Sequence, residues 1–265
     1  MRIVSWNIAH RAEPWRALAD DESLDVALLQ EATPPPAGLN LDVLPDPTGW
    51  GARFRTAIVC RKDGRSLRHV STGRIESAGR GIVPESRPGT ITVADVTLAS
   101  GEVISLVSIY STWENPAVES SWIVADASVH RLISDVSALI GHERGHRLIV
   151  AGDLNLMNGY GENNSGYWKG RYDTVFARME AIGLPLVGPQ HPNGLQAMPW
   201  PDELPRDSKN VPTFRPNTGI PCRQLDYVFA SRELVPRLTV RALNRPEQWG
   251  PSDHCRVEIE VSEPA

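Results

Sequence analysis

The sequence predicts an α/β architecture, and three observations carry that expectation. Strand-like apolar runs recur from one end of the chain to the other. Several alternate apolar and polar residues, as in Thr90-Ile91-Thr92-Val93-Ala94-Asp95-Val96 and from Cys255 to Val261. A period of two buries one face of a strand and leaves the other wet or covered by helices. Helical patterns interleave with these runs instead of following them as a block.

In chain order, strands are expected at 2–7, 25–31, 55–61, 91–98, 103–110, 147–153, 225–230, 237–243 and 255–261. A short helix over 14–20 opens at Pro14, a residue suited to a first turn because its missing N–H has no partner there anyway. The longest helical pattern runs from Val118 to His142, with Trp122, Val129, Leu132, Ile133, Val136, Leu139 and Ile140 as its apolar stripe. A third covers 171–182, with Val175, Phe176, Met179 and Ile182. Pro34-Pro35-Pro36 and the stretches 157–170 and 188–224 read as loops, because their Gly, Pro and Asn content resists regular structure. A loop as long as the last is often functional. There is no internal repeat and no linker, and the polar residues of interest come from both ends. Residues 1–265 are therefore read as a single domain.

The chain is long enough to bury a large core, and its 41% hydrophobic and 22% charged residues are ordinary for a globular protein. The net charge of -5 argues against a surface that is basic all over, although a local patch can still be basic. Cys60, Cys222 and Cys255 form no CxxC pair and no zinc spacing, so a reducing compartment is the simplest reading. No apolar run approaches the length of a membrane span. Met1-Arg2 leads directly into a strand, so no signal peptide is read and the cytoplasm is the expected location.

The chemistry lies where polar residues break apolar strands at their C-terminal ends. Asn7 ends Ile3-Val4-Ser5-Trp6-Asn7 and Glu31 ends Val26-Ala27-Leu28-Leu29-Gln30-Glu31. A carboxylate there is costly unless it is exposed or paired, and a divalent cation would stabilise it. Mg²⁺ takes hard oxygen ligands, often one or two carboxylates plus water and phosphate. Glu31 and Asp253 are the leading ligands, with Asn7 as a neutral oxygen nearby. Glu31 as a surface strand cap is the plain alternative.

Gly152-Asp153-Leu154-Asn155 follows the apolar strand from Leu148. Glycine there permits a turn or the close approach of a ligand. Asp153 and Asn155 project to one side of an extended segment, where a carboxylate can orient water and a carboxamide can hold a phosphoryl oxygen. A simple Asx-turn is the alternative. Asp226 opens the run Tyr227-Val228-Phe229-Ala230, and His254 opens the last strand. An aspartate accepting the imidazole N–H fixes the tautomer and favours the charged form, which can then donate to a phosphate oxygen gaining charge. Tyr110 ends its strand with a phenol able to donate to phosphate or simply to pack. His10, His69, His130, His142, His146 and His191 are read as ordinary surface or core histidines.

Arg53, Arg55, Arg61, Lys62, Arg65 and Arg68 surround a single acid, Asp63, in a locally basic stretch. It would track a phosphate backbone or serve as the charged edge of a strand pair, the second being the plainer reading. Arg80, Lys169 and Arg171 are further phosphate candidates. Trp113, Trp168, Trp200 and Trp249 fall in expected loops, where they would stack on bases or pin the loops.

Taken together, Trp6-Asn7, Gln30-Glu31, Ile109-Tyr110, Gly152-Asp153-Leu154-Asn155, Leu225-Asp226-Tyr227-Val228 and Ser252-Asp253-His254 resemble, in order, the motifs of the endonuclease/exonuclease/phosphatase superfamily. The resemblance implies a four-layer α/β sandwich of two packed mixed sheets with helices outside. It implies that Glu31 binds the metal with Asp253 and Asn7 close by, that Asp153 activates water, and that Asn155 holds a phosphate oxygen. It also implies that His254, oriented by Asp226, stabilises the transition state, and that Tyr110 stands where many members carry His and the AP endonucleases Tyr. The chain departs from the AP endonucleases at Ala9, where they often have a second metal-side Asp, and at Arg256, where Pro is usual.

The expected activity is hydrolysis of nucleic-acid phosphodiester bonds, DNA favoured, with Mg²⁺ or Mn²⁺. A small phosphate ester, such as a phosphoinositide or nucleotide derivative, is the alternative substrate. A binding module on a dead catalytic fold is disfavoured by the complete polar set.

Overall fold

The computed structural model describes residues 1–47, 50, 55–76, 79, 81–113, 125–140, 146–216 and 219–263. Its strands are β1 (Arg2–Asn7), β2 (Val26–Gln30), β3 (Leu41–Leu44), β4 (Ala57–Arg61), β5 (Leu67–Val70), β6 (Thr72–Arg74), β7 (Val83–Glu85), β8 (Ile91–Thr97), β9 (Val103–Tyr110), β10 (Leu148–Asp153), β11 (Leu186–Gly188), β12 (Asp226–Ala230), β13 (Leu238–Leu243) and β14 (Arg256–Val261). The α-helices among the described residues are α1 (Glu13–Ala19), α2 (Ala125–Ser137) and α3 (Gly166–Ala181).

Both large sheets are built on one plan. The first runs β13-β14-β1-β2-β4-β3 and the second β11-β12-β10-β9-β8-β5. In each, the central pair is parallel, β1 with β2 and β9 with β10. Their other neighbours pair antiparallel. A parallel pair sets two C-terminal ends side by side. Asn7 therefore lies beside Gln30, and Asp153 beside Tyr110.

Alternation within the strands explains the layers. Ile3, Val26, Leu28 and Ile58 of the first sheet meet Leu106, Ile149, Ala151 and Val228 of the second. Their neighbours Val4, Trp6, Ala27, Leu29 and Val59 face Trp15 and Leu18 of α1. On the far side, Val107, Ile109, Val150 and Phe229 pack on Val129, Leu132, Ile133 and Val136 of α2 and on Val175 and Met179 of α3. The result is a four-layer α/β sandwich. Central strands are buried on both faces, which is why they read as nearly continuous apolar runs. Each fully buried aliphatic side chain contributes roughly 1.5–3 kcal/mol.

Three departures from the sequence reading have physical causes. Helix α3 starts at Gly166 rather than 171, because the Ser165 hydroxyl accepts the Trp168 N–H and caps a first turn that its glycines had disguised. Strands β3, β5, β6, β7 and β11 are additional, and each is too short to show a period. Gly152 lies inside β10 and answers a packing need. A Cβ there would stand 1.8 Å from the carbonyl oxygen of Ile109, so glycine is what lets β10 approach β9. The expected start of the long helix, with Val118 and Trp122, and also Arg53 and Arg80, lie outside the described residues. No helix among those described is long and apolar enough to cross a membrane.

Candidate active site

The parallel strand pairs bring Asn7, Glu31, Tyr110 and Asp153 to one pole of the sandwich. Asp226 joins them because β12 runs antiparallel to β10 and pairs Asp226 with Asp153. His254 enters just before β14, where it forms an isolated bridge with Phe214 of the long 188–224 loop.

Asp153 is the hub, and it is 1% exposed. Its Oδ2 accepts the Asn7 amide at 2.9 Å, and its Oδ1 accepts the backbone N–H of Asn155 at 2.8 Å. The second contact is an Asx-turn, the plain reading of this motif. Asn155 takes a left-handed backbone, φ 52°, which asparagine tolerates, and its amide donates to the carbonyl of Ser111 at 2.7 Å. The Oδ1 of Asn7 accepts the N–H of Ala9 at 2.9 Å.

His254 Nδ1 stands 2.8 Å from Asp226 Oδ2, and its Nε2 faces Asp153 Oδ2 at 3.9 Å. Burial alone would favour a neutral imidazole. The charge of Asp226 and the hydrogen bond to it outweigh burial and raise the His254 pKa to about 10. Burial also raises the pKa of Asp153, to about 7, with His254 opposing and Asp226 adding to the rise. The loop supports the pair. Thr213 Oγ1 accepts the N–H groups of Leu225 and Asp226, and the Phe214 ring lies 5.1 Å from the imidazole.

Glu31 follows β2 with φ 49°, a left-handed conformation that is strained for a residue with a Cβ. Its Oε1 accepts the Tyr110 hydroxyl at 2.8 Å. Burial, then the charges of Asp153 and Glu31, hold that phenol far above its ordinary pKa range, so it remains a donor. Tyr110, read from the sequence as donating to phosphate or simply packing, places its hydroxyl on Glu31. On the other side, His10 Nε2 approaches Glu31 Oε2 at 3.2 Å. The sequence reads His10 as an ordinary histidine, and the fold brings it to Glu31. The available signal was its position three residues beyond the strand-ending Asn7, in the turn that enters the cleft.

Asp253 is tied in through Ser252, whose hydroxyl donates to the Asn7 carbonyl at 2.7 Å and reaches Asp253 Oδ1 at 3.3 Å. No three His, Cys, Asp or Glu side chains among the described residues form a cage for an ion. An open, oxygen-rich rim with the Glu31 side chain 21% exposed still fits a cation that keeps water and phosphate as most of its ligands, as Mg²⁺ does.

The substrate candidates fare unevenly. Trp113, 45% exposed, lies just past β9. Lys169 pairs with Asp173, and Arg171 with Asp126 and the Tyr167 hydroxyl. Trp168 packs between Tyr167 and Tyr172, and the indole N–H groups of Trp200 and Trp249 hold the carbonyls of Leu204 and Ser252. Those three pin local structure. The basic stretch is also not a free cationic track. Arg61 pairs with Asp63, Arg65 with Asp25 and Arg68 with Asp95. Because β4 runs antiparallel to β2 and matches Cys60 with Val26, Arg61 and the residues after it lie toward the pole opposite Glu31, whereas Arg55, whose carbonyl accepts the Ala32 N–H at 2.9 Å, lies at the Glu31 end.

The chain is an α/β sandwich of two packed mixed sheets with acids, amides and an Asp-held His gathered at one pole, the architecture of a family whose members are phosphoester hydrolases. The model of the Endonuclease/Exonuclease/phosphatase family matches residues 4–254, and the chain belongs to that family. Enzymes of this family generally use divalent metal ions. Among solved structures, the endonuclease domain of TRAS1, a telomere-specific non-LTR retrotransposon, superposes with a TM-score of 0.65 at 16% identity, covering 100% of this chain and 99% of that one. The AP endonuclease LMAP from Leishmania major gives 0.62 at 17% identity, covering 99% and 88%. The 3'-5' exonuclease NExo from Neisseria meningitidis gives 0.62 at 16%, covering 99% and 100%. These likenesses establish the fold. No curated protein matches the chain.

Proposed function

We propose that the chain is a divalent-metal-dependent phosphodiesterase acting on nucleic acid, DNA in preference, through one domain spanning residues 1–265. The observation that carries this reading is the line from Asp226 through His254 to Asp153. An imidazole tethered at Nδ1 turns its other nitrogen toward a buried carboxylate 3.9 Å away, and the Asn7 amide holds that carboxylate in place.

In this reading Asp153 removes a proton from the attacking water, a task suited to a base with a pKa near neutrality. His254 donates from Nε2 to a phosphate oxygen as its charge grows, and Asp226 keeps the ring in the required tautomer. Asn155 holds a second phosphate oxygen. Asn7 aligns Asp153. Glu31 and Asp253, with Asn7 nearby, would hold Mg²⁺ or Mn²⁺, which when bound neutralises charge on the phosphoryl and leaving oxygens. Trp113 stacks on a base at the rim, and Lys169 and Arg171 are further candidates for phosphate. Arg80 remains a sequence-based candidate for phosphate. The nucleic-acid reading draws support from neighbours described as a retrotransposon endonuclease, an AP endonuclease and a 3' phosphatase bound to a DNA hairpin. The free thiols, of which Cys60 and Cys255 are buried, suit the cytoplasm.

A small phosphate ester is the second reading. It is favoured by the acid partners of Arg61, Arg65, Arg68, Lys169 and Arg171, which neutralise most of the cations singled out for a polymer backbone. Purified protein tested in parallel on plasmid DNA, abasic duplex, RNA and phosphatidylinositol phosphates separates the two. Turnover of a nucleic acid with Mg²⁺ or Mn²⁺ is expected, and turnover of the lipid phosphate alone would overturn the assignment.

A further inference from the structure

The contact between His10 and Glu31 has no counterpart in the roles above. Residues 9 and 10 both take left-handed backbones, φ 49° for Ala9 and 57° for His10, and Glu31 opposite them has φ 49°. Non-glycine residues in that region typically cost about 1 kcal/mol or more each and persist only where the surroundings hold them. Two backbone hydrogen bonds do so here. Ile8 N–H donates to the Gln30 carbonyl at 3.0 Å, and His10 N–H to the Glu31 carbonyl at 3.1 Å. The β1–β2 pairing thus continues past the strand ends and brings two strained residues face to face. The Ala9 N–H is pinned by Asn7 Oδ1, and His10 is the residue of this turn whose side chain reaches Glu31.

The side chains meet with His10 Nε2 at 3.2 Å from Glu31 Oε2. Two ligands at right angles on an octahedral ion with bonds of about 2.1 Å stand ~3.0 Å apart. The imidazole is 42% exposed, while Tyr110 fixes the other carboxylate oxygen. The pair therefore has the spacing of two neighbouring ligands and an open side for water or phosphate.

We propose that His10 is a ligand of the same cation as Glu31, giving this chain a mixed nitrogen and oxygen site that prefers Mn²⁺ and other transition ions to Mg²⁺. The proposal rests on the metal-dependent reading above. Carboxylate and water oxygens suit Mg²⁺ and Mn²⁺ alike, whereas imidazole is a poor partner for Mg²⁺ and a good one for first-row transition ions. A single nitrogen ligand shifts the balance between them.

The test uses the whole protein with Mn²⁺ alone as the probe. Pulsed electron paramagnetic resonance of bound Mn²⁺ detects a directly coordinated imidazole nitrogen through its ¹⁴N modulation. Wild type should show that modulation, and His10→Asn should lose it. Asparagine accepts the left-handed backbone, so the turn survives the change. Titration should show Mn²⁺ affinity falling about 10-fold or more in His10→Asn, with Mg²⁺ affinity within about 3-fold of wild type. Bound Mn²⁺ that depends on Glu31 yet lacks nitrogen modulation in wild type would overturn the role of His10 and leave the metal reading standing. Modulation that persists in His10→Asn would overturn it as well. Absence of any Glu31-dependent Mn²⁺ binding would overturn both readings.

Discussion

Asp226 holds His254 through a single carboxylate oxygen, Oδ2, at 2.8 Å, and its other oxygen is buried without a hydrogen-bond partner. A buried carboxylate satisfied on one side only is costly, and here the cationic imidazole compensates it. The two residues should therefore behave as one unit. Asp226→Asn and His254→Ala should each lower kcat by roughly 10²–10³-fold with little change in KM, the usual loss when one donor to a developing charge is removed. The double variant should be scarcely worse than His254→Ala. Multiplicative losses in cooperatively folded protein would show that the pair is uncoupled.

Tyr110 donates to Glu31 at 2.8 Å, and on the proposed reading of Glu31 as a metal ligand it would be a positioning residue. Tyr110→Phe should weaken Mg²⁺ or Mn²⁺ binding about 10-fold, in the range typical for loss of an outer partner of a ligand. Activity should return when the metal is saturating. A kcat that stays low at saturating metal would mean that the phenol contacts substrate, as the sequence had suggested.

Polymer binding should not depend on the far-pole part of the basic stretch. The combined replacement of Arg61, Lys62 and Arg65 by Ala should leave the salt dependence of KM unchanged, because two of these cations are paired and all lie toward the far pole. Trp113→Ala should raise KM for single-stranded or frayed DNA, since stacking on one aromatic is worth about 1–3 kcal/mol per base. The reverse pattern, read from steady-state kinetics at several salt concentrations, would move the binding face to the opposite pole.

Far from the site, Glu258 of β14 ties the sheet to β1 and β13. Its carboxylate accepts hydrogen bonds from Arg2 and Arg241. Burial would raise its pKa, but these two guanidinium contacts outweigh burial and lower it. A depressed folded-state pKa stabilises the fold above the unfolded value and loses that stabilisation as pH falls through the folded value. Glu258→Gln should therefore cost about 1–2 kcal/mol at pH 7, a modest figure because Arg241 is partly exposed. The gap to wild type should close in strongly acidic buffer. Denaturant melts across that range check the sign, and a gap that widens toward acid would contradict it.

The central strands and the ordered polar set were legible because each is a long apolar run broken by one costly polar residue. That pattern marks Asn7, Glu31, Tyr110 and Asp153 as the polar ends of their strands, while Asp226, which opens its strand, joins them through the antiparallel pairing of β12 with β10. The short edge strands were not legible, since three or four residues show no period. The N-terminal turn of α3 was hidden by Gly166 and Gly170, whose low helix propensity Ser165 offsets from outside the helix. His10 was missed for a different reason. A left-handed turn leaves no periodic trace, and the contact with Glu31 exists only after β1 and β2 pair. The arginine partners were equally invisible, because Arg65 and Asp25, or Arg171 and Asp126, meet only in the fold.

Single-turnover hydrolysis of end-labelled duplex DNA, by wild type and Asp153→Asn in Mg²⁺ or Mn²⁺ with and without EDTA, tests the central claim most directly. Wild type should cleave with metal and stop in EDTA. Asp153→Asn should fold normally and cleave at least about 10²-fold more slowly, the low end of what a positioned general base contributes. Cleavage that survives EDTA, or an Asp153→Asn variant as fast as wild type, would contradict the account.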